Sequence, residues 1–413
     1  MYRFSHSSRS KVRRLAAGRL ISVTGGAAAY TALNFTVWDR THSPGMQALS
    51  LLLTFGVTGL LGPLAGALGD RYDRRKVMIW SEGVAAVFFL VMALFDSPGW
   101  LIALAFGSAI AELPFYSASR AAIPNLIDSE DQLSWANSLV TVGVHSGIAV
   151  GPVIGGVLLA ATGPSWVFAI NGVSFFISLW LTLTVHGPFQ KEEERSQEHE
   201  GLAAGLRFMW REAVIRRMTA AWFVFLLGMG MGMVADAALA ESFGSGPVGF
   251  SLLIACWGTG SVVGSLTGRW MTPRTEPVWL VAGSFGIAAA AFGVGFAPVF
   301  PMVLVALFLM GTSDGFTMVS ENGIMQRRTP DEVRSRTMAA FDAVLSAGLA
   351  IAYLFAGPVL EAFGPQGAYR TGGATALLAA VALLPLLKLR ETEPEAGPGT
   401  RYASAEDLDT ARS

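Results

Sequence analysis

The chain is predicted to be an all-α integral membrane protein, with twelve transmembrane helices arranged as two pseudo-symmetric six-helix bundles. Three observations carry that prediction. Charged residues make up only 14% of the chain and apolar ones 52%, at a mean hydropathy of +0.50. A water-soluble globule carries roughly 25% charged residues, so most of this surface does not face water. The apolar sequence is also cut into lengths of about 20 residues, which is what a hydrocarbon core about 30 Å thick requires of a helix. Finally, the basic residues fall almost entirely on alternate connections.

Taken in order, spans are predicted near 15–38, 46–69, 77–95, 100–123, 136–161 and 166–187, then near 217–242, 248–271, 277–297, 301–326, 337–362 and 367–388. Turn-forming stretches separate them: DSPG at 96–99, TGPS at 162–165, FGSGPVG at 243–249 and APVFP at 297–301. The basic N-terminus (Arg3, Arg9, Lys11, Arg13, Arg14) leads into a full-length span without a clear small-residue cleavage site, and is read as an uncleaved first helix. With the N-terminus in the cytoplasm, 27 of the 29 lysines and arginines lie on the cytoplasmic side; only Arg40 and Arg370 lie outside. Such a split is the positive-inside signature, and it places both termini in the cytoplasm.

The longest interruption begins acidic and ends as an amphipathic helix with Leu202, Leu206 and Met209 on one side. This divides the chain into an N-terminal bundle (1–187), a cytoplasmic bridge (188–216), a C-terminal bundle (217–388) and a cytoplasmic tail (389–413). The halves repeat weakly. GPLAGALGDR at 62–71 aligns with GSVVGSLTGR at 260–269, TGPSW at 162 aligns with FGPQG at 363, and Glu112 falls close to Asp314. Parallel six-helix repeats are one architecture of secondary transporters.

Several function classes drop out. One cysteine, Cys256, allows neither a disulfide framework within the chain nor a cysteine metal cluster, and the five histidines have no metal-ligand spacing. No phosphate-binding lysine loop is present, and no clustered nucleophile or cofactor motif points to an enzyme. A net charge of −1 gives no field for nucleic acid. No cofactor is expected beyond a proton gradient, and the expected partners are a small-molecule substrate, protons and the lipid bilayer, with the protein acting as a monomer.

Charge is concentrated at GDRYDRRK, the turn between spans two and three, where Asp70, Arg71, Asp73, Arg74, Arg75 and Lys76 follow Gly66 and Gly69. Anchoring in the cytoplasm needs only the basic residues and leaves Asp70 and the glycine spacing unexplained. This stretch resembles the span 2–3 signature of the major facilitator superfamily, G-x-L-A-D-R-x-G-R-R/K, departing from it at Gly69 and Asp73. The resemblance implies a conformational latch made of Gly66, Asp70, Arg71, Arg74 and Arg75, with Asp70 docking on the backbone near Arg336–Ala340 at the start of span eleven. In span five, GIAVGPVIGG carries Gly147, Gly151, Pro152, Gly155 and Gly156 in the pattern of drug:proton antiporters. Together with ASRAAIPNLI, these stretches resemble the bacterial branch containing enterobactin and macrolide exporters. Such antiporters often carry an arginine midway along span four. This chain has none there before Arg120, and its span one has no acid at its middle.

A carboxylate at mid-membrane costs about 2.5–3.5 kcal/mol on insertion scales, so it normally faces a partner or a cavity. Glu112, Asp236, Asp314 and Glu321 are the proton-coupling candidates, on spans four, seven and ten, which by the resemblance line the central cavity. The expected lining is bulky and apolar: Phe35 and Trp38, Phe115 and Tyr116, Met229 and Met233, Phe316 and Met318. Met229, Met231 and Met233 cannot all face one side of a helix, so part of that run is packing. Glu82 and Asp342, nearer the cytoplasm, are expected to pair with loop arginines, and His145 to be a packed histidine. The function expected is export of a hydrophobic or amphipathic small molecule (drug, antibiotic or siderophore class) by proton antiport from the bacterial inner membrane. The alternatives are a lysolipid carrier of the same fold or a non-transporting membrane sensor.

This topology has a direct check. An impermeant thiol reagent applied to intact cells should label a cysteine at Ser97, and should label one at Ser196 only after the membrane is opened. Rapid labelling of position 196 from outside would contradict the twelve-span map.

Overall fold

The computed structural model describes residues 6–62, 72–127, 129, 132–187, 189 and 202–388. Every regular element among them is helical. Ten of the helices are long and apolar enough to cross a membrane. The last of these, Asp331–Leu383, is two spans joined at a corner, because Gly364 leaves the helical region with φ of 67°. Arg74–Met92 is as long as the others need to be, but less apolar, since Arg74, Arg75, Lys76 and Glu82 all lie on it. Counted this way, the described residues contain twelve membrane-length helices.

The spans run His6–Thr41, Pro44–Gly62, Arg74–Met92, Pro98–Leu126, Leu133–Thr162 and Pro164–Thr184. The second half follows as Ala213–Ser242, Gly246–Ser265, Glu276–Gly295, Phe300–Arg328, 331–363 and 365–383. Local chemistry sets the boundaries. Ser43 accepts from the Met46 amide just before Pro44, which needs no amide partner in a first turn. Asp73, which stands where glycine is usual in the resembled signature, accepts from the Lys76 amide at 2.9 Å and caps span three. Glu212 caps span seven through the Ile215 amide at 2.7 Å. Span seven therefore starts at Ala213, four residues before the sequence boundary of 217.

The half-repeat is written into the backbone. Gly163 (φ 82°, ψ 171°) precedes Pro164 between spans five and six, and Gly364 (φ 67°, ψ 178°) precedes Pro365 between spans eleven and twelve. Both glycines occupy a region closed to residues with a Cβ, so the same sharp corner recurs in both halves.

Close helix approach depends on small residues, since lipid supplies no hydrophobic drive for helices to associate. Spans eight and ten pack backbone to backbone. A Cβ on Gly260 would strike the Phe308 carbonyl, and one on Gly264 the Thr312 carbonyl. In return, Gly311 sits on the Trp257 carbonyl and Gly315 on the Ser261 carbonyl.

The buried apolar residues form one large core in the C-terminal half and two in the N-terminal half, one at each end of the bundle. Trp38, Ala48 and Leu51 of spans one and two belong to the C-terminal core, so the halves join at the end away from the chain termini. There the Trp38 indole and the His42 ring (3.1 Å) both meet Glu241, and the Phe35 and Phe250 rings lie 6.0 Å apart. The seam continues inward through Gly156 on Ser251, Gly56 on Ala350, and Gly59 on Ser346. Span two is locally widened over Leu52–Val57, where it crosses span eleven. At the terminus-bearing end, the bridge helix Leu202–Arg211 buries Met209 in the C-terminal core and sets Gly205 against the Arg336 carbonyl.

Gly315→Ala is expected to destabilise the protein by about 1–3 kcal/mol through overpacking, seen as a lower melting temperature in detergent. Gly99→Ala, whose added methyl meets nothing within 4 Å, should not. Equal melting of the two variants would contradict the close approach of spans eight and ten.

Candidate functional site

A cavity of about 580 Å³ lies between the halves and extends from the seam toward the terminus-bearing end. Its size is within the range of small-molecule sites. Most of its wall is apolar or aromatic, and each half adds acids.

In the N-terminal half the wall is organised around a buried cation. Arg19 follows the basic cluster at Lys11–Arg14, inside the apolar stretch of span one, and is only 7% exposed. Its guanidinium carbon lies 5.0 Å from the Phe115 ring centroid and 4.8 Å from that of Tyr116. An Arg held this way over aromatic faces is attracted by their negative π-surfaces. Tyr116 also donates to Glu112 at 3.3 Å, and Ser108, one turn earlier, donates to the other carboxylate oxygen at 3.1 Å. Glu82 of span three is buried and accepts from Ser178 and, at 3.4 Å, from Thr182 of span six. Arg19 is within electrostatic reach of both carboxylates. One cation thus serves two acids from two further helices.

Among the described residues, the C-terminal half places acids on the wall without a basic residue in its lining. Asp236 of span seven accepts from the Tyr369 hydroxyl of span twelve, and Asp314 of span ten lies within reach of Ser261 of span eight. No described Lys, Arg or His of this half lines the cavity. Between the acids the wall is built by Met229, Met233, Phe250, Trp257 and Met310. Asn34, on the opposite side, has a buried side-chain oxygen without a hydrogen-bond partner among the described residues.

The expected coupling residues divide accordingly. Glu112, Asp236 and Asp314 line the cavity, while Glu321 is off the wall, within electrostatic reach of Asp314 and Asp342. Of the expected lining, Phe115, Tyr116, Met229 and Met233 face the cavity. Met231 turns away, partly buried against the C-terminal core. Phe35 and Trp38 belong instead to the seam, where Trp38 is committed to Glu241. Phe316, two residues past Asp314 and so rotated off its face, packs edge-on against Trp279 of span nine at 5.4 Å. Met318 is 47% exposed and outside the cavity lining. Glu82 does not pair with loop arginines as expected; it is held by span-six hydroxyls and faces the cavity. Asp342 lies within electrostatic reach of Arg120.

The glycine motif of span five serves two contacts. Gly147, Gly151 and Gly155 let span five lie against Thr24, Ala27 and Ala28 of span one, and Gly156, one residue on, faces Ser251 across the seam. Pro152 lines the cavity. Of the latch, Gly66, Asp70 and Arg71 lie outside the described residues, as does the side chain of His145. Arg74 donates to the Ala121 carbonyl at 3.0 Å, and Arg75 to the Leu183 carbonyl at 2.8 Å, tying span three to the ends of spans four and six.

Reasoning from sequence misses Arg19, Tyr30, Asn34, Trp257 and Tyr369, all of which line the cavity. Arg19 carries a signal: it lies within the predicted first span, yet it counts among the loop charges when basic residues are assigned by side. It also answers the missing arginine of span four. The arginine is on span one and the acid on span four, the reverse of the pattern expected from antiporters.

A sequence model of the family described as transmembrane secretion effector matches residues 5–411. The chain is 27% identical over 397 residues to the enterobactin exporter EntS of Shigella boydii serotype 18, and 26% identical over 394 residues to EntS of Escherichia coli O127:H6. Each alignment covers 91% of this chain and 92% of the relative. Among solved structures, the fold is similar to the nucleoside transporter NupG (TM-score 0.70, 14% identity, 92% of this chain and 99% of that one). It is likewise similar to a bacterial homologue of the human lysosomal transporter Spinster (TM-score 0.71, 16% identity, 94% and 97%).

In a background with Cys256→Ser, a cysteine at Met229 should react with a small maleimide several-fold faster than one at Met231. Equal rates would contradict the orientation of span seven.

Proposed function

Because the chain belongs to the transmembrane secretion effector family of the major facilitator superfamily, we propose that it is a secondary transporter that exports a hydrophobic or amphipathic small molecule in exchange for protons. The observation that carries this reading is the apolar cavity between the halves, with carboxylates on both walls. An apolar wall of aromatic and methionine side chains suits a compound that partitions into membranes; methionine adapts to varied shapes. The EntS relatives are named as exporters of enterobactin, which supports the outward direction and a small-molecule cargo.

Proton exchange requires an acid that is occupied alternately by a proton and by the influence of the substrate. Removing a carboxylate from water disfavours its charged form unless a cation or hydrogen bond compensates. Glu112 is poised for such a choice. Two hydroxyls and a nearby guanidinium support its carboxylate, and the apolar wall supports its acid. Arg19 is the counter-cation in this scheme. When Glu112 gives up its proton, Arg19 balances the charge that remains, so the substrate-loaded carrier can reorient without an uncompensated anion. Asp236, with Tyr369 beside it, is the acid on the facing wall against which a bound substrate is oriented. The seam through Trp38, His42 and Glu241 must part for release on the other side, as alternating access requires.

Two experiments in everted vesicles test this. Glu112→Gln should still bind ethidium but lose proton-driven accumulation of the dye; undiminished gradient-driven transport would remove Glu112 from the mechanism. Arg19→Gln should lose transport by about a hundredfold, the order expected for stranding a buried charge (about 3 kcal/mol), while Arg19→Lys keeps a measurable part of it. Wild-type rates with Arg19→Gln would contradict its role as counter-cation.

A further inference from the structure

The basic start of span one is not used by the transport site, and it forms a pocket of its own. At the terminus-bearing end, Arg9, Arg13 and Arg14 line a shallow groove of about 540 Å³ between spans one and six, with Ala17 and Leu181 as an apolar floor and Ser10 beside them. Ser10, Arg13, Arg14 and Ala17 have the spacing i, i+3, i+4, i+7, which puts them on one stripe of the helix. No described acidic side chain lines the groove.

The three guanidiniums are employed differently. Arg14 donates to the Thr184 carbonyl at 3.0 Å, and Arg75 of span three donates to the Leu183 carbonyl at 2.8 Å. The carbonyl end of span six, where the helix dipole is negative, is therefore already served. Arg9 is positioned over the Trp135 ring at 6.0 Å. Arg13 is exposed, and among the described residues no carboxylate or carbonyl pairs with it. Arg13 thus brings the groove a positive charge that the described protein does not neutralise there.

The surface leading into the groove decides what kind of anion fits. Val173, Phe176, Ile177 and Trp180 of span six are all exposed and follow the same i, i+3, i+4, i+7 spacing. They make an apolar stripe that climbs the membrane face and ends beside Leu181. Trp180, 62% exposed, stands at the level where tryptophans mark the membrane interface. A free phosphate would use the arginines and leave this stripe idle. A lipid uses both.

We propose that this groove binds the headgroup of an anionic phospholipid, its phosphodiester held by Arg9 and Arg13 and an acyl chain lying along the span-six stripe. Arginine suits the task, since its planar fork matches phosphate oxygens, and basic pockets between helices at this membrane face are known lipid-headgroup sites. The bound lipid would brace the junction of spans one and six, the helix pair that also carries Arg19 and the Ser178 and Thr182 hydroxyls that donate to Glu82.

Native mass spectrometry of the full-length protein in detergent, titrated with dioleoylphosphatidylglycerol, tests this. Wild type should retain one tightly held lipid that phosphatidylcholine and millimolar inorganic phosphate do not displace. Arg9→Gln/Arg13→Gln should bind it about tenfold more weakly, and Arg13→Gln alone, a change to an exposed side chain, less so but in the same direction. Arg269→Gln/Arg274→Gln, which removes the same charge from the other half, should leave binding intact. Unchanged binding by the Arg9/Arg13 double variant, equal loss in both double variants, or displacement by inorganic phosphate would each overturn the proposal.

Discussion

A charge held between membrane helices must find its partner inside the protein, because no water is there to provide one. Much of the transport site follows from how the two halves meet this constraint. In the N-terminal half, Arg19 is held over Phe115 and Tyr116 within reach of Glu82 and Glu112, and hydroxyls from Ser108, Tyr116, Ser178 and Thr182 complete the carboxylates. The arrangement fixes four helices relative to one another: spans one, three, four and six. The C-terminal half places hydroxyls near its wall acids, Tyr369 bonded to Asp236 and Ser261 within reach of Asp314. The halves share a helix plan but not an electrostatic one. That asymmetry gives the cavity a wall that carries its own cation and a wall that does not.

The second constraint is distance. Helices that meet through glycine approach until backbones touch, as spans eight and ten do at Gly260, Gly264, Gly311 and Gly315, and as span five does against span one. The seam between halves is mixed: a ring contact between Phe35 and Phe250, a carboxylate shared by Trp38 and His42, and close small-residue crossings at Gly156–Ser251, Gly56–Ala350 and Gly59–Ser346.

How much of this is legible in the sequence depends on the kind of information needed. Span number and repeat are legible because both are one-dimensional: apolar length, basic loops, and a Gly-Pro corner whose two copies at 163 and 364 share a backbone shape. The acids are legible because any carboxylate deep in an apolar stretch is conspicuous, as Glu112, Asp236 and Asp314 are. Rotation about the helix axis is not legible. Phe316 and Phe115 look alike as large apolar residues on cavity-facing spans, yet one packs on Trp279 and the other lines the cavity. Arg19 is hidden by its neighbours, a sixth basic residue after five, although its position inside the span sets it apart. Glu82 reads as a partner of the nearest loop because its true partners, Ser178 and Thr182, are distant in sequence and carry no charge.

In the proposed mechanism, substrate leaves as protons enter through one cavity. In proteoliposomes with the membrane potential clamped and a pH-sensitive dye inside, adding a transported lipophilic dye should start proton movement opposite to the dye flux, in fixed proportion to it. Transport should stop when the pH gradient and the potential are both abolished. Concentrative export that continues after both are collapsed would contradict proton exchange as the driving reaction.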